Sequence, residues 1–183
     1  MRHGFLLVDK PKGITSHDAV LVVRKILSEK HVGHLGTLDP AASGLLVLAV
    51  GAKALKVIEL FSDLTKEYEA EVRFGAVSTT YDAAGVLTET IVLPGWEPPT
   101  IEALKNTIED RFLGRIRQVP PAYSAVHIGG ERAYRKAMQG REVNIPPRDV
   151  FVQACTIRSY HFPDLALLIT CGSGTYIRSL AHD

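Results

Sequence analysis

The chain has 183 residues, of which 46% are hydrophobic and 22% are charged. These values are typical of an ordinary soluble globular protein, and the length suits one domain with a sizeable core. The formal net charge of +1 excludes a protein that is basic over its whole surface, so any nucleic-acid-binding surface must be local.

The first half begins with a short apolar run that predicts a strand over residues 4–9, ended by "KPKG". A helix is expected next, with Ser16 as its N-cap, Asp18 in its first turn and apolar residues at helical spacing. The apolar run "GLLVLAVG" at 44–51 predicts a buried strand, and "AKALKVIELFSD" at 52–63 predicts a helix.

The second half opens with strict alternation in "KEYEAEVRF", which predicts a half-buried antiparallel strand over 66–74, followed by a turn in "YDAAG". Thr100 is placed to cap a helix, and Gly114 fits its end. Strands are predicted over 150–160 and 165–171, and a helix after "GSGT". Strands and helices without regular βαβ alternation predict an α+β fold with a mixed, largely antiparallel sheet flanked by helices.

The cysteine usage and the absence of targeting segments indicate the compartment. Cys155 and Cys171 lie far apart and form no CxxC pattern, which favours free thiols over a disulfide framework or a zinc site. The N-terminus lacks the long apolar core of a signal peptide, and no apolar run reaches the about 18 residues of a membrane span. We therefore expect a cytoplasmic protein.

Positive charge is concentrated in the segment from Arg111 to Arg148, which carries eight basic and two acidic residues, a net charge of +6. Because the whole chain carries +1, the remainder carries −5. Prolines, glycines and tyrosines lie among these arginines, which suits a mobile arm that contacts phosphates and stacks on bases. A solvated helix and hairpin with ordinary surface arginines fits the same pattern.

One carboxylate, Asp39, stands in "HVGHLGTLDPAASGLLVLAVG" at 31–51, between turn-forming residues and an apolar run. An Asp-Pro pair usually stabilises a turn. A carboxylate can also act as a covalent nucleophile at an anomeric carbon, but glycoside hydrolases pair it with a second carboxyl, which this motif lacks. A lone aspartate therefore suits an isomerase, which detaches a nucleobase and reattaches it through another atom, better than a hydrolase.

Other candidate sites are weaker. His31 and His34 have the spacing of two ligands on a helix, but two glycines interrupt it and no third ligand follows, so no metal is expected. The "GSGT" turn at 172–175 lacks the lysine of a phosphate-binding loop, and Ser43 is not in a nucleophile elbow.

The segment around Asp39 resembles the signature of the TruB family, the pseudouridine synthases that modify the uridine of the tRNA T-loop at position 55. Four other blocks also match the family's pattern: "DKPKGITSHDAV", "KEYEAEVRFGAVSTTYDAAG", "VPPAYSAVHIGGERAYRKAMQG" and "GSGTYIRSLAHD". Five ordered blocks over nearly all of the chain make the resemblance specific, and the bacterial-type, stand-alone enzyme is the closest match. The resemblance implies the pseudouridine synthase fold and isomerisation of uridine without metal or organic cofactor.

The resemblance assigns catalytic roles by position. Asp39 matches the catalytic aspartate, which either attacks the ribose anomeric carbon or stabilises charge while a glycal intermediate forms. Tyr68 matches the tyrosine that packs on the flipped base and is a candidate base in the glycal route, although a core-facing strand tyrosine would show the same periodicity. Arg178 matches the arginine that pairs with the aspartate, and an adjacent guanidinium favours an ionised carboxylate.

The resemblance also assigns substrate-binding roles. Tyr176 aligns with a residue lining the uridine pocket, and Asp82 with an acidic residue in the polar network near it. His34 corresponds to the histidine that fills the space left when the base swings out of the T-loop, where a flat side chain restores part of the lost stacking. The family's insertion closes on the RNA like a thumb, which implies RNA contacts for Arg132 and Arg141.

Four positions are therefore expected to converge on one cleft: His34, Asp39, Tyr68 and Arg178. We expect residues 1–183 to form a catalytic domain that is incomplete at its C-terminus, with a thumb-like insertion at about 111–148 and no PUA domain. The expected partner is the T-stem-loop of tRNA, with no membrane and no obligate protein partner, and the protein is expected to be a monomer.

Two alternatives remain open from the residues. An RNA-binding or RNA-chaperone module would flip and release the T-loop without chemistry, using the basic segment and His34. A base-excising glycosidase would release free uracil, but the second carboxylate that such an enzyme requires is not found near Asp39.

Overall fold

The computed structural model describes residues 3–61, 63–90 and 94–183. The chain forms two compact units, divided between Leu64 and Thr65. The helices and antiparallel sheets of the two units confirm the predicted α+β class. The assignment of the whole chain to one catalytic domain stays a prediction.

The first unit contains a three-stranded antiparallel sheet in which the strand of residues 44–50 is central. Its elements are β1 (Gly4–Lys10), α1 (Ser16–Leu27), β2 (Val32–His34), β3 (Gly44–Val50), α2 (Ala52–Lys56) and a 3₁₀ turn (Ile58–Phe61). Both strands predicted from apolar runs in this unit are confirmed. β2 is short, and its last residue, His34, lies opposite Leu48 of β3.

The core of the first unit joins α1 to one face of the sheet. Val20 and Val23 of α1 pack with Leu46 and Leu48 of β3, and these side chains are buried. Alternate residues of a strand point to opposite faces, and Leu45 accordingly remains 66% exposed. The strand is therefore buried mainly on the face that supports α1.

The N-cap of helix α1 lies one residue before the predicted one. Thr15, rather than Ser16, is the N-cap: its side chain accepts from the Asp18 N–H at 3.0 Å, while Asp18 accepts from the Thr15 N–H at 2.8 Å. The Thr15 hydroxyl also donates to the Asp18 carboxylate at 2.6 Å, and this bond, together with the one from the Thr15 N–H, lowers the pKa of Asp18. The prediction of Ser16 as N-cap was wrong because two adjacent hydroxyl residues were available and Ser16 bonds elsewhere.

The helix predicted at 52–63 is shorter than expected. It ends at Lys56, where the Val57 N–H bonds to the Ala54 carbonyl three residues back, and a 3₁₀ turn follows over Ile58–Phe61. The bond to the third preceding residue tightens the last turn, so the α-helix does not continue. One residue of the predicted helix, Ser62, lies outside the described residues.

The second unit is built on a four-stranded antiparallel sheet with two small hairpins. Its elements are β4 (Lys66–Arg73), β5 (Ala76–Ser78), β6 (Leu87–Glu89), α3 (Ile101–Arg111), β7 (Gly114–Gln118), β8 (His127–Ile128), β9 (Glu131–Arg132), α4 (Ala133–Met138), β10 (Arg148–His161), β11 (Asp164–Cys171) and α5 (Ile177–His182). The sheet has the order β4-β11-β10-β7, and β5–β6 and β8–β9 form the hairpins. The strands predicted at 66–74, 150–160 and 165–171 are confirmed.

The alternation predicted for β4 matches its burial, since every second residue is partly covered. Tyr68 and Ala70 pack against the buried cluster of Val152, Ile169 and Cys171. The same cluster receives the apolar residues of α5. One face of the sheet therefore supports the helix that carries Arg178.

Helix α3 begins after Thr100, whose side chain accepts from the Ala103 N–H at 3.2 Å as predicted. It ends at Arg111, and Gly114 opens β7 with a left-handed φ of +77°. That conformation favours glycine, so Gly114 makes the turn from helix to strand. Among the described residues, no helix is long and apolar enough to cross a membrane.

Both cysteines are free thiols, as predicted. Cys155 is half-buried and Cys171 is buried. Burial raises the pKa of both thiols, because it disfavours the thiolate. They are therefore core residues of poor nucleophilicity.

Candidate active site

Asp39 lies in the loop of residues 35–43 that joins β2 to β3. The loop leaves the sheet through a bond from the Leu35 N–H to the Val47 carbonyl at 2.9 Å. The Ala42 N–H bonds to the Asp39 carbonyl at 3.0 Å, so the Asp-Pro pair does form a turn. The side chain of Asp39 is partly buried. The hydrogen bond that forms the turn thus uses the backbone of Asp39 and not its carboxylate.

The backbone on both sides of Asp39 is held by the segment that precedes α1. Ser16 Oγ accepts from the Leu38 N–H at 2.9 Å and donates to the Leu38 carbonyl at 3.1 Å. The Gly13 N–H donates to the Pro40 carbonyl at 2.7 Å, and Gly13 has a left-handed φ of +90°. Because Leu38 and Pro40 flank Asp39, these bonds fix its position from both sides.

A buried ammonium lies in the same region. Lys10 is 0% exposed, and its Nζ donates to the carbonyls of Pro11 and Ile14, at 2.9 Å each. Burial lowers the pKa of Lys10, and the negative charge of Asp39 partly opposes this change. Lys10 was not predicted from the sequence; the signal was a lysine placed directly after an apolar strand, where a charge is unexpected.

His34 ends β2, five residues before Asp39, and is partly buried. The strand pairing with Leu48 and the bond of Leu35 to Val47 hold it at the start of the Asp39 loop. The first unit thus places His34, Asp39 and Lys10 around one loop. The role of His34 in filling a vacated base position stays a prediction.

Arg178 is the second residue of α5, and its side chain is only 12% exposed. Nη1 donates to the Thr80 carbonyl at 2.8 Å and Nη2 to the Tyr123 carbonyl at 3.0 Å. Nε lies 3.8 Å from Oδ2 of Asp82. Arg178 therefore joins the start of α5 to two loops that are distant in sequence.

Asp82 is held in a tight turn that begins the loop after β5. Its Oδ1 accepts from Thr80 Oγ1 at 2.5 Å and from the Ala84 N–H at 3.0 Å, and its carbonyl accepts from Ser78 Oγ at 2.5 Å. Tyr81 has a left-handed φ of +61°, and its ring stacks on the ring of His182 in α5, with 3.7 Å between the ring centres. A strained backbone held by several contacts is a feature of functional sites.

Tyr176 precedes α5 and is held at both its backbone and its ring. Gln118 Nε2 donates to the Tyr176 carbonyl at 3.0 Å, and the Tyr176 N–H donates to Gln118 Oε1 at 2.8 Å. The guanidinium carbon of Arg148 lies 4.8 Å from the centre of the Tyr176 ring. Neither Gln118 nor Arg148 was identified from the sequence, because nothing in their local pattern separates them from other strand-end polar residues.

Tyr68 faces the core of the second unit, in β4 opposite Ile169. Its packing against the same buried cluster as Ile177 brings it and the start of α5 to one region. The core-facing role considered for this tyrosine is thus present. Its role beside a flipped base stays a prediction.

The basic segment is divided by the structure. Its first strand, β7, belongs to the four-stranded sheet, and only residues 119–147 leave the sheet to form the β8–β9 hairpin and α4. Arg141 Nη2 lies 2.6 Å from Oε2 of Glu131, and this contact lowers the pKa of Glu131. Arg132 Nη1 donates to the Ala125 carbonyl at 3.0 Å. RNA contacts by Arg132 and Arg141 stay predictions.

The candidate residues fall into two groups, each within one unit. His34 and Asp39 lie in the first unit, and the second unit brings together Tyr68, Asp82 and Arg178 with Tyr176. The convergence of the four predicted positions on one cleft stays a prediction. No group of three His, Cys, Asp or Glu residues that could hold a metal ion is found within residues 3–61, 63–90 and 94–183.

Comparison with known proteins identifies the family. Residues 24–177 match the model of the TruB family pseudouridylate synthase, N-terminal domain. This chain belongs to the TruB family. The match contains the Asp39 loop and the Tyr68 strand and reaches Tyr176, and it confirms the predicted membership of this family.

Individual relatives with similar sequences agree with this family assignment. It is 46% identical over 180 residues to tRNA pseudouridine synthase B of Xylella fastidiosa, covering 98% of the chain and 58% of the relative. It is 44% identical over 184 residues to the protein of the same name from Trichormus variabilis, covering 98% of the chain and 60% of the relative. The chain therefore spans about three fifths of the length of these relatives.

Solved structures match the TruB chain over almost its full length. The crystal structure of a Cbf5-Nop10-Gar1 complex gives a TM-score of 0.69 at 29% identity, covering 98% of this chain and 42% of that one. An H/ACA RNP bound to a substrate RNA containing 2'-deoxyuridine gives a TM-score of 0.66 at 26% identity and covers 98% of the chain and 41% of the other. These similarities confirm the predicted fold.

Proposed function

We propose that the protein isomerises uridine to pseudouridine in the T-loop of tRNA, at position 55. The observation that carries the proposal is the Asp39 loop, in which Ser16 and Gly13 bond to the backbone of Leu38 and Pro40 on either side of Asp39. Membership of the TruB family and the relatives named tRNA pseudouridine synthase B support the same reaction.

The proposed chemistry requires one carboxylate and no cofactor. The bond between N1 of the base and C1′ of the ribose breaks, the base rotates, and a bond forms between C5 and C1′. The proton on C5 leaves and N1 gains a proton, so the reaction is an isomerisation. Asp39 either attacks C1′ or stabilises its positive charge while a glycal forms. In the glycal route, Tyr68 is the candidate base.

A buried positive charge near Asp39 suits either mechanism. The Lys10 ammonium lies in the same unit and interacts with Asp39, whose negative charge partly opposes the lowering of the Lys10 pKa by burial. We propose that Arg178 supplies a second cation to the same carboxylate. Its two bonds to backbone carbonyls and its contact with Asp82 leave it little freedom to move, which suits a preorganised role.

Base flipping is the proposed step before chemistry. Removing a base from its stack costs a few kcal/mol, and His34 is the flat side chain proposed to fill the gap. The basic hairpin and α4 would then contact the phosphates of the T-stem-loop through Arg132, Arg141 and their neighbours. We propose that the enzyme acts on tRNA without an obligate protein partner, as a monomer in the cytoplasm.

The experiment is tritium release from a T-stem-loop RNA labelled at C5 of uridine. We expect release by the wild type and none by Asp39→Asn, which keeps the shape of the side chain and removes its charge. Asp110→Asn, at an exposed position of α3, is the matched control and should release tritium at the wild-type rate. Release unchanged by Asp39→Asn would rule out the proposed role of this residue.

A binding module without chemistry is the second candidate, because the segment of residues 111–148 carries a net charge of +6. Such a module would bind the T-stem-loop with an affinity that falls as salt rises, yet release no tritium. Tritium release and salt dependence measured on the same protein therefore separate the two candidates. Free uracil among the products would instead indicate a glycosidase.

A further inference from the structure

Two residues outside the predicted site lie opposite each other in the sheet and both contact Tyr176. Gln118 is the last residue of β7, and its ladder partner Arg148 is the first residue of β10. Gln118 contacts the backbone of Tyr176 and Arg148 contacts its ring. Adjacent strands thus bring two different side chains to one tyrosine.

The side-chain amide of Gln118 pairs with the backbone of Tyr176 through two hydrogen bonds, as the backbone of a neighbouring strand would. It both donates to and accepts from the Tyr176 backbone, at 3.0 Å and 2.8 Å, and it is only 1% exposed. Tyr176 is the N-cap of α5 and its own side chain makes no capping bond. Gln118 therefore fixes the backbone from which both the Tyr176 ring and α5 project.

Arg148 holds the ring. Its guanidinium carbon lies 4.8 Å from the ring centre, and its Nη2 donates to the Gly174 carbonyl. Gly174 has a left-handed φ of +83°, and a Cβ on it would meet the Arg148 guanidinium at 3.6 Å. The guanidinium is therefore bound at its edge by the turn of residues 172–175 and covers one face of the ring.

A ring covered on one face by a cation has only its opposite face and its edge left for a ligand. We propose that Gln118 and Arg148 are positioning residues that hold Tyr176 so that its opposite face or edge meets the pyrimidine base. Stacking on or against an aromatic ring is the contact that holds an unstacked base in RNA-binding proteins. This inference rests on the proposed function, since it takes the base to be the target uridine.

The first experiment detects the contact without requiring catalysis. A T-stem-loop RNA with 4-thiouridine at the target position is irradiated with the protein, and the crosslinked residue is identified by mass spectrometry. We expect the wild type to crosslink at Tyr176, and we expect Arg148→Lys and Gln118→Met each to reduce that crosslink by about fivefold. Arg158→Lys, at an exposed position of the same strand β10, is the matched control and should crosslink as the wild type does.

The second experiment separates positioning from general stability. Single-turnover tritium release should slow by about tenfold in Arg148→Lys and Gln118→Met, while the Kd for the RNA stays within about twofold. The melting temperature is measured for each variant. If Gln118→Met melts lower, Arg148→Lys decides the test, because its side chain is only partly buried and lysine keeps the charge.

The outcomes are distinguishable. Loss of the Tyr176 crosslink in Arg148→Lys at an unchanged melting temperature supports the inference. A crosslink that is undiminished in both variants, or a wild-type crosslink at residues other than Tyr176, overturns it. A wild type that crosslinks at Tyr176 but releases no tritium would overturn the isomerase proposal and leave the positioning inference intact.

Discussion

The loop that carries Asp39 and the segment that carries Arg178 are held by bonds of different reach along the chain. Asp39 is fixed through Ser16, the first residue of α1, and through Gly13, just before that helix. Both residues lie in the same compact unit as Asp39. Arg178 is fixed through carbonyls of Thr80 and Tyr123, 98 and 55 residues away.

Only the anchors of Asp39 lie in a segment with a recognisable local pattern. The anchors of Asp39 lie in one block, "DKPKGITS", which matches the family's pattern although its bonds to the loop were not predicted. The anchors of Arg178 are backbone carbonyls, which any residue supplies equally. Four substitutions test the contrast, from the largest expected loss of stability to the smallest.

Arg178→Met should have the largest effect. It leaves the Thr80 and Tyr123 carbonyls without their donor and the Asp82 carboxylate without its ion-pair partner, so we expect a loss of about 3 kcal/mol in the free energy of unfolding and loss of tritium release. Urea unfolding measures the first quantity. Arg158→Met, at an exposed position, should lose little, and an equally small loss in Arg178→Met would show that the long-range bonds do not hold the segment.

Ser16→Ala should have the next largest effect. Ser16 is 2% exposed, and the change leaves both backbone groups of Leu38 unpaired, which should cost about 2 kcal/mol in the free energy of unfolding. Tritium release should also slow, by about tenfold, because the loop around Asp39 loosens. Ser159→Ala, an exposed change in β10, is the control. Wild-type release by Ser16→Ala would mean that Asp39 does not need this anchor.

Thr15→Ala should cost less and leave tritium release unchanged. It removes the N-cap of α1, at about 1 kcal/mol in the free energy of unfolding, without touching the bonds to Leu38. The cost should shrink as pH falls through the lowered pKa of Asp18, because protonated Asp18 no longer accepts both bonds from Thr15. Unfolding curves at pH 7 and below pH ~4 test this. Reduced tritium release by Thr15→Ala would contradict the assignment of separate roles to Thr15 and Ser16.

Lys10→Met should change stability least at neutral pH, since loss of two bonds and relief of a buried charge oppose each other. The pH dependence is the sharper test. Burial lowers the pKa of Lys10, so between that pKa and 10.5 the unfolded chain binds more protons than the folded one. The stability of the wild type relative to Lys10→Met should therefore rise with pH across this window. A flat difference would contradict a perturbed Lys10.

Prediction from sequence succeeded where one face of an element was buried. The alternation in β4 gave a correct strand, because burial of every second residue leaves a period of two in the sequence. The apolar runs of β1 and β3 also gave correct strands, although most residues of β1 are exposed. It failed at element ends. Ser16 was predicted as the cap of α1 where the structure has Thr15, and the helix from residue 52 was extended past Lys56, since ends depend on single hydrogen bonds that leave no period.

Local patterns and ordered motifs were enough to assign the α+β class, to place Asp39 in its loop and to identify the family to which the chain belongs. Each of these depends on neighbouring residues or on an ordered set of motifs. The folded structure was needed to show that Lys10 is buried near Asp39, that Asp82 contacts Arg178, and that Gln118 and Arg148 hold Tyr176. These contacts join residues through space, and a hydrogen bond between distant segments imposes no pattern on the residues next to it.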